Sequence, residues 1–156
     1  MAIKFIDKYP GETIRALSWK QPYASMMLHG KVETRTWITK YLGWVLICAS
    51  QTPYSKEKAY SISGETHYMR IVDALKNDTT GSINGKAIAI GYLYSSIIMG
   101  SFQKPENISS SSFVEYNPDL YCHFYKDVQP IVPFDWKGTQ GWKTLDQETK
   151  EKIILL

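Results

Sequence analysis

Cations, a carboxylate and flat aromatic rings alternate along one stretch of the chain, between Ile14 and Ser50. Rings of this kind stack on nucleobases, and lysine or arginine side chains bind phosphate. The side chains concerned are Trp19, Lys20, Gln21, Lys31, Glu33, Arg35, Trp37, Lys40 and Tyr41. Their types and spacing predict a pocket for a base or a nucleotide.

Glu33 and Arg35 are two residues apart in a short strand predicted over 32–37, so both point to the same face. In a binding site, Glu33 would accept a hydrogen bond from an exocyclic amine, and Arg35 would hold a phosphate or a base edge. The alternative is a structural ion pair that closes the mouth of a barrel. Both interpretations stay open at this point.

A strand predicted over 13–19 leads into a helix predicted over 21–29, with Pro22 in its first turn and Gly30 as its C-terminal cap. A helix N-terminus presents free N–H groups, so an anion beside Gln21 is reasonable. We expect the site to include Trp19, Lys20 and Gln21. Taken alone, Lys20 fits a solvated surface lysine equally well.

The site residues depend on elements spread over the chain. The strand 44–49 is apolar throughout and predicts burial on both faces, and 86–98 alternates in the manner of a long strand. Further predictions are a loop or loose helix over 53–63, a helix over 65–76, a mobile loop over 101–112, a strand over 120–125, a Pro-bounded edge segment over 130–134, and a C-terminal helix capped by Thr144 and Gln147. Together they predict an α+β fold, a barrel of about five or six strands with two or three flanking helices.

Length and composition bound the remaining possibilities. The chain has 156 residues and a net charge of +3, which favours one domain over residues 1–156 and permits a nucleic-acid partner without demanding one. Its two cysteines lie in apolar runs, so we expect them to be buried and reduced. No apolar run suits a signal peptide or a membrane span, which predicts a soluble, cytoplasmic protein. The three histidines lack ligand-spaced partners, and no metal or cofactor is expected.

Several motifs, in this order, resemble the ASCH domain family of the PUA-like superfamily. They are ALSWKQPYA from Ala16 to Ala24, Gly30, ETRTW from Glu33 to Trp37, Tyr41 with Gly43, LICA from Leu46 to Ala49, GKAIAIG from Gly85 to Gly91, and the closing segment from Pro133 to Trp142. The resemblance covers nearly the whole chain. It implies a small PUA-like β-barrel and a groove that binds RNA or a modified nucleotide.

The family resemblance also suggests two enzymatic alternatives. One branch hydrolyses N4-acetylcytidine with a lysine, a threonine three residues later and a glutamate from a later strand, and another is reported as nucleases. Lys31 and Thr34 have the required spacing, but the strand over 86–96 contains no Asp or Glu to complete the set. The catalytic candidates are therefore Lys31, Thr34 and Glu33, and binding without catalysis is the first expectation.

The remaining binding candidates come from other parts of the chain. Trp37 and Tyr41 would stack on a base, although both could instead fill the core. Lys137 and Gln140 belong to a Gly-rich turn that we expect to reach the same groove, and Ser50 is a candidate for its polar floor. The prediction therefore requires the strand of Glu33 and Arg35 to meet this late turn.

Overall fold

The computed structural model describes residues 2–138 and 140–156. Two residues lie outside this description: Met1, the first residue of the predicted domain, and Thr139, which belongs to the predicted closing segment. The described chain forms a curled mixed sheet with helices around it, an α+β half-barrel. Eight strands join in one sheet, so the expected count of five or six was too low. The strands are Ile3–Lys4 (β1), Ile14–Trp19 (β2), Glu33–Arg35 (β3), Gly43–Ala49 (β4), Lys86–Ile98 (β5), Tyr121–Asp135 (β6), Lys143–Thr144 (β7) and Ile154–Leu155 (β8).

The strand order is β1-β8-β6-β5-β4-β2-β7, and the short β3 pairs with β6 outside this path. The β2–β4 pair is parallel and the other pairs are antiparallel. Three of the strands, β1, β7 and β8, have two residues each. Segments this short carry no alternation that a sequence pattern can detect, which explains the low predicted count.

The helices are Phe5–Lys8 (α1), Tyr23–Met26 (α2), Lys56–Ser63 (α3), Glu65–Leu75 (α4), Pro105–Ser112 (α5) and Gln147–Lys150 (α6). Short 3-10 turns cover Met27–His29, Thr79–Ser82 and Met99–Ser101. The described chain thus has more helices than the two or three predicted, but only α3, α4 and α5 reach eight residues. No helix within the described residues is long and apolar enough to cross a membrane.

The core lies on both sides of the sheet, and β4 separates its two main parts. Val45, Ile47 and Ala49 pack with α2 and α4, whereas the alternate residues Trp44, Leu46 and Cys48 pack with α1 and the chain's C-terminus. All seven residues of β4 are buried, which confirms the prediction for this strand. Cys48 and Cys122 are both buried and free, as expected.

The first predicted helix is shorter than the sequence indicated. It begins at Tyr23 rather than residue 21, because Pro22 is the capping residue and not the first helical residue. The last turn, Met27–His29, is a 3-10 turn, and Gly30 ends it in the left-handed conformation (φ 80°), as predicted.

The segment 101–112, predicted as a mobile loop, is mostly the helix α5, so that prediction was wrong. Pro105 begins this helix, and Ile108, Ser109 and Ser112 are buried. Ser112 donates to the Ser109 carbonyl, Ser111 to the Asn107 carbonyl and Ser109 to the Val114 carbonyl. Serine clusters usually indicate loops, but here three of the four hydroxyls donate to backbone carbonyls.

The C-terminal half also departs from the prediction in two places. The segments 120–125 and 130–134 belong to one strand, β6, which pairs with β3, β5 and β8 and is therefore not a sheet edge. Register shifts and the left-handed Asp127 (φ 52°) bend this strand and hide its continuity in sequence. The expected C-terminal helix is only α6, and its capping residue is Asp146 rather than Thr144, which belongs to β7. The chain then enters β8, and Ile153 and Leu155 are buried.

Candidate functional site

A cavity of about 760 Å³ opens where β2 ends, beside β3 and the segment after β6. Pockets for small ligands usually fall in the range of about 300–1,000 Å³, so one nucleotide would fit. All but three of the predicted site residues line it. Those that do are Trp19, Lys20, Lys31, Glu33, Thr34, Arg35, Trp37, Ser50 and Gln140.

The exceptions are Gln21, Tyr41 and Lys137, and each has a physical reason. Gln21 is 2% exposed, and its amide donates to Ser25 Oγ and to two carbonyls of the 79–83 segment. Its side chain therefore fixes the start of α2 to the 3-10 turn that follows α4. This internal role leaves no free amide group for an anion.

Tyr41 lies behind the cavity wall. Its hydroxyl donates to the Trp44 carbonyl at 2.6 Å, and its ring contacts Trp142 at 5.2 Å between centroids. Lys137 lies in a separate cavity of about 530 Å³ with Gln51, Asn84 and Trp136 among its neighbours. The late segment therefore reaches the main cavity through Gln140 to Trp142 and not through Lys137.

Three charged side chains form the centre of the cavity wall. The Lys31 ammonium lies 2.9 Å from one carboxylate oxygen of Glu33, and the Arg35 guanidinium lies 3.1 Å from the other. Lys31 and Glu33 are almost completely buried, with side chains 1% and 7% exposed, whereas Arg35 is 21% exposed. The expected ion pair is thus a triad in which Arg35 faces the opening.

The backbone explains why these charges meet. Residues 33 and 35 of β3 point to the same face, while β3 itself is held by pairing with β6, where Glu33 lies opposite His123. The left-handed Gly30 turns the chain just before Lys31, which then donates to the Val32 carbonyl and to Glu33. The sequence thus places two cations on one carboxylate.

Glu33 remains ionised despite its burial. Burial alone would raise its pKa, but the charges of Lys31 and Arg35, with hydrogen bonds from Lys31 and the Thr34 N–H, hold the pKa below its ordinary value. Lys31 and the Thr34 N–H donate hydrogen bonds to one carboxylate oxygen, and the Arg35 guanidinium forms an ion pair with the other. Glu33 therefore offers little capacity to accept from an exocyclic amine, the role suggested by its sequence position.

Arg35 lies between two indole rings. Its guanidinium carbon is 4.9 Å from the Trp19 ring centroid and 5.9 Å from that of Trp37. It also donates to the Ser18 carbonyl at 3.2 Å. Stacking and hydrogen bonding fix the planar group in one orientation, which suits it to bind an oxygen-bearing ligand.

Aromatic rings continue around the opening. Trp37 and Trp142 are half-buried and meet edge to face at 6.0 Å, while the His123 Nε2–H donates to the Trp37 carbonyl at 2.9 Å. On the opposite rim, the exposed Lys20 ammonium lies 5.4 Å from the Tyr54 ring centroid. The cavity thus combines stacking surfaces with cations at two depths.

Sequence reasoning missed Trp142, Tyr23 and Tyr54 as lining residues. For Trp142 a signal existed, because it follows Gln140 and Gly141 in the segment already assigned to the groove. Tyr54 comes from the connection before α3, where nothing in the local pattern points to the cavity.

The histidines lie apart from one another, each with a different partner. His29 contacts Asp78, His67 contacts Ser109, and His123 contacts the Trp37 carbonyl. Within residues 2–138 and 140–156, no group of three His, Cys, Asp or Glu side chains is placed to hold a metal ion.

Comparisons with known proteins bear on the fold. No protein-family model matches the sequence, and no curated protein matches it. The crystal structure of a tyrosine-to-phenylalanine mutant of ZmASCH from Zymomonas mobilis matches with a TM-score of 0.55 and 15% identity, over 89% of this chain and 94% of that chain. ASCH from the same organism matches with a TM-score of 0.49 and 15% identity, over 89% and 92%. The first comparison shows that the chain has an ASCH-like fold, as the sequence motifs predicted.

Proposed function

We propose that this chain is a nucleic-acid-binding module that takes a base of single-stranded RNA, or a modified nucleotide, into the cavity. The observation that carries the proposal is Arg35, held by Glu33 and stacked between Trp19 and Trp37 at the opening. A fixed guanidinium beside indole rings can bind an oxygen of the ligand while a base stacks next to it.

Lys20 supplies the second element of the proposal. It is exposed on the rim, where a phosphate outside the cavity would meet its ammonium group while the base enters. The half-buried Trp37 and Trp142 provide ring faces at the same opening. Stacking of this kind contributes about 1–3 kcal/mol for each base, enough to support binding together with a few phosphate contacts.

The proposal also treats residues 1–156 as one binding domain. Its support is the pairing of β1 with β8, which joins the two ends of the chain in the sheet that carries the site.

The test is binding of fluorescently labelled single-stranded RNA, measured by anisotropy at several salt concentrations. We expect Lys20→Ala to weaken binding and to reduce the slope of log affinity against log salt by about one, because one phosphate contact is lost. Lys8→Ala is the matched control, since Lys8 belongs to α1, which packs on the other face of the sheet. If single-stranded RNA and DNA both fail to bind at low salt, the proposal is wrong.

A second candidate function is hydrolysis of N4-acetylcytidine or of RNA. One observation favours it, because Lys31, Glu33 and Thr34 all line the cavity and the Lys31 ammonium lies 2.9 Å from the Glu33 carboxylate. However, the hydrogen bonds that Lys31 donates within the described residues go to Val32 and Glu33, not to the Thr34 hydroxyl that it would have to activate. Binding is therefore the better-supported function.

Incubation with N4-acetylcytidine and with labelled RNA tests the second candidate. Turnover that Thr34→Val abolishes, while RNA binding persists, would establish a nucleophilic threonine. Thr34→Val keeps the β-branched shape of a partly exposed strand residue and removes its hydroxyl, and a thermal unfolding curve verifies that the variant folds.

A further inference from the structure

Arg15 lies just beyond the cavity, on the same face of β2 as two residues of the cavity wall. Alternate residues of a strand share a face, so the Arg15 side chain precedes those of Leu17 and Trp19, which both line the cavity. At about 3.3 Å per residue, the strand separates Arg15 from Trp19 by about 13 Å. Arg15 is not among the lining residues, so only a ligand that extends out of the cavity can contact it.

A continuous row of three rings joins the opening of the cavity to Arg15. Trp37, at the opening, meets Trp142 at 6.0 Å between ring centroids, and Trp142 meets Tyr41 at 5.2 Å. The Arg15 guanidinium carbon then lies 4.6 Å from the Tyr41 ring centroid. We call Trp37, Trp142 and Tyr41 the aromatic row. All three residues are half-buried, so the row keeps an exposed part on which the bases of a strand can stack.

The aromatic row has an arginine at each end, and the two differ in their partners. Arg35 forms an ion pair with Glu33, whereas the ion pairs within residues 2–138 and 140–156 do not include Arg15. The nearby carboxylate of Glu12 affects the pKa of Tyr41 but forms no ion pair with Arg15. Stacking on Tyr41 thus orients a guanidinium that has no carboxylate partner in the described part of the chain, which suits it to bind a phosphate.

We propose that Arg15 binds a backbone phosphate of a single strand that follows the aromatic row and inserts one base into the cavity. Lys20, on the opposite rim, would bind phosphate on the other side of that base. This inference rests on the proposed function and selects a strand over a free nucleotide, which would leave Arg15 without a contact. At the duplex spacing of about 3.4 Å per phosphate along one strand, about 13 Å corresponds to about four stacked nucleotides, and to fewer if the strand is extended.

The test compares uridine monophosphate with hexauridylate by isothermal titration calorimetry at low salt. We expect hexauridylate to bind at least about tenfold more tightly, and Arg15→Gln to weaken its binding about tenfold, as for the loss of one hydrogen bond to a charged group. The same variant should weaken uridine monophosphate by less than about twofold, because one nucleotide does not reach Arg15. Lys8→Gln is the matched control, since it removes the same charge from a cation that lies 5.6 Å from the Tyr9 ring centroid on the other face of the sheet.

The outcomes separate the two proposals. If neither ligand binds at low salt, the proposed function fails and this inference fails with it. If both bind with equal affinity, the strand does not follow the aromatic row, although the cavity still binds a nucleotide. An Arg15→Gln variant that binds hexauridylate as tightly as the unmodified protein, or that weakens both ligands equally, also overturns the assignment. Arg15→Lys keeps the charge and should restore part of the hexauridylate affinity, and thermal unfolding curves verify that both variants fold.

Discussion

Replacing Glu33 with glutamine would leave two cations, one of them almost completely buried, facing a neutral amide. Lys31 is the critical partner, since its side chain is 1% exposed and its ammonium lies 2.9 Å from the carboxylate. Arg35 is less affected, because it is partly exposed and also donates to the Ser18 carbonyl. The change removes one charge and keeps the shape of the side chain, so the effect reports electrostatics rather than packing.

The expected cost follows from this burial. Removing one member of a buried ion pair costs about 3–5 kcal/mol, because the other charge is left uncompensated. The glutamine oxygen can still accept from Lys31, so we expect the lower end, about 3 kcal/mol. This is a large part of the about 5–15 kcal/mol by which domains are stable. With a urea dependence of about 2 kcal/mol per molar, the unfolding midpoint should fall by about 1.5 M.

Urea unfolding followed by tryptophan fluorescence measures this shift, and Glu151→Gln is its matched control. Glu151 forms an ion pair of the same length with Lys4, 2.9 Å, but both side chains are exposed, at 44% and 47%. We expect Glu151→Gln to leave the midpoint unchanged within error, since solvent screens such pairs. The double variant Lys31→Met, Glu33→Gln should recover part of the loss. Equal midpoints for Glu33→Gln and Glu151→Gln would refute the argument that burial makes this triad strong.

Further predictions concern pH and packing. The pKa of Glu33 is lowered in the folded protein, so its stabilising effect is present above its ordinary pKa of 4.5 and is lost as pH falls through the lowered value. The urea midpoint of the unmodified protein should therefore fall more steeply below pH 4.5 than that of Glu33→Gln, and parallel curves would contradict this. Burial lowers the pKa of His123, although its hydrogen bond to the Trp37 carbonyl acts in the opposite direction. The imidazole NMR signals of His123 should therefore titrate with a midpoint below 6.5, and a midpoint above 6.5 would contradict a neutral buried ring. Gly91→Ala should cost about 1–3 kcal/mol in urea unfolding, because the added methyl group would lie 2.8 Å from a Val128 methyl carbon, and an unchanged midpoint would show that this contact relaxes freely.

The parts of the fold that the sequence predicts are those with a long regular pattern. The strand 86–98 was predicted with the bounds that β5 has, because thirteen residues of alternation leave little choice of register. Small residues on one face of this strand allow a close neighbour, and Gly91 lies against Val128 and Tyr125 of β6. A long pattern sums many weak conformational preferences, so tertiary contacts seldom change the secondary structure that it predicts.

The failures fall where tertiary context outweighs local pattern. In the serine-rich helix α5, three hydroxyls donate to backbone carbonyls and Ile108 packs into the core, and neither feature shows in composition. In the site, strand periodicity was enough to predict that Glu33 and Arg35 lie on the same face. The prediction that Lys137 reaches the same cavity depended on the path of an irregular segment, and Lys137 lies in the other cavity. Gly138 lies so close to Ser18, a residue of the cavity wall, that an added methyl group would be 2.8 Å from its hydroxyl. Gln140 lines the same cavity, whereas Lys137 lies in the separate one.

Substitutions in the triad of Lys31, Glu33 and Arg35 should affect stability as well as binding, whereas a substitution of Lys20 at the cavity rim should affect binding alone. The Glu33 carboxylate accepts hydrogen bonds from Lys31 and the Thr34 N–H and forms an ion pair with Arg35, so we expect it to position the guanidinium rather than to contact a ligand. Glu33→Gln should therefore lower the free energy of unfolding and the RNA affinity together, since the same contacts stabilise the fold and orient Arg35. Lys20 is exposed, and within the described residues its ammonium lies against the Tyr54 ring, so its replacement should weaken binding while stability is kept. If Glu33→Gln lowered the affinity and left the urea midpoint unchanged, the two effects would not share the ion pair with Arg35.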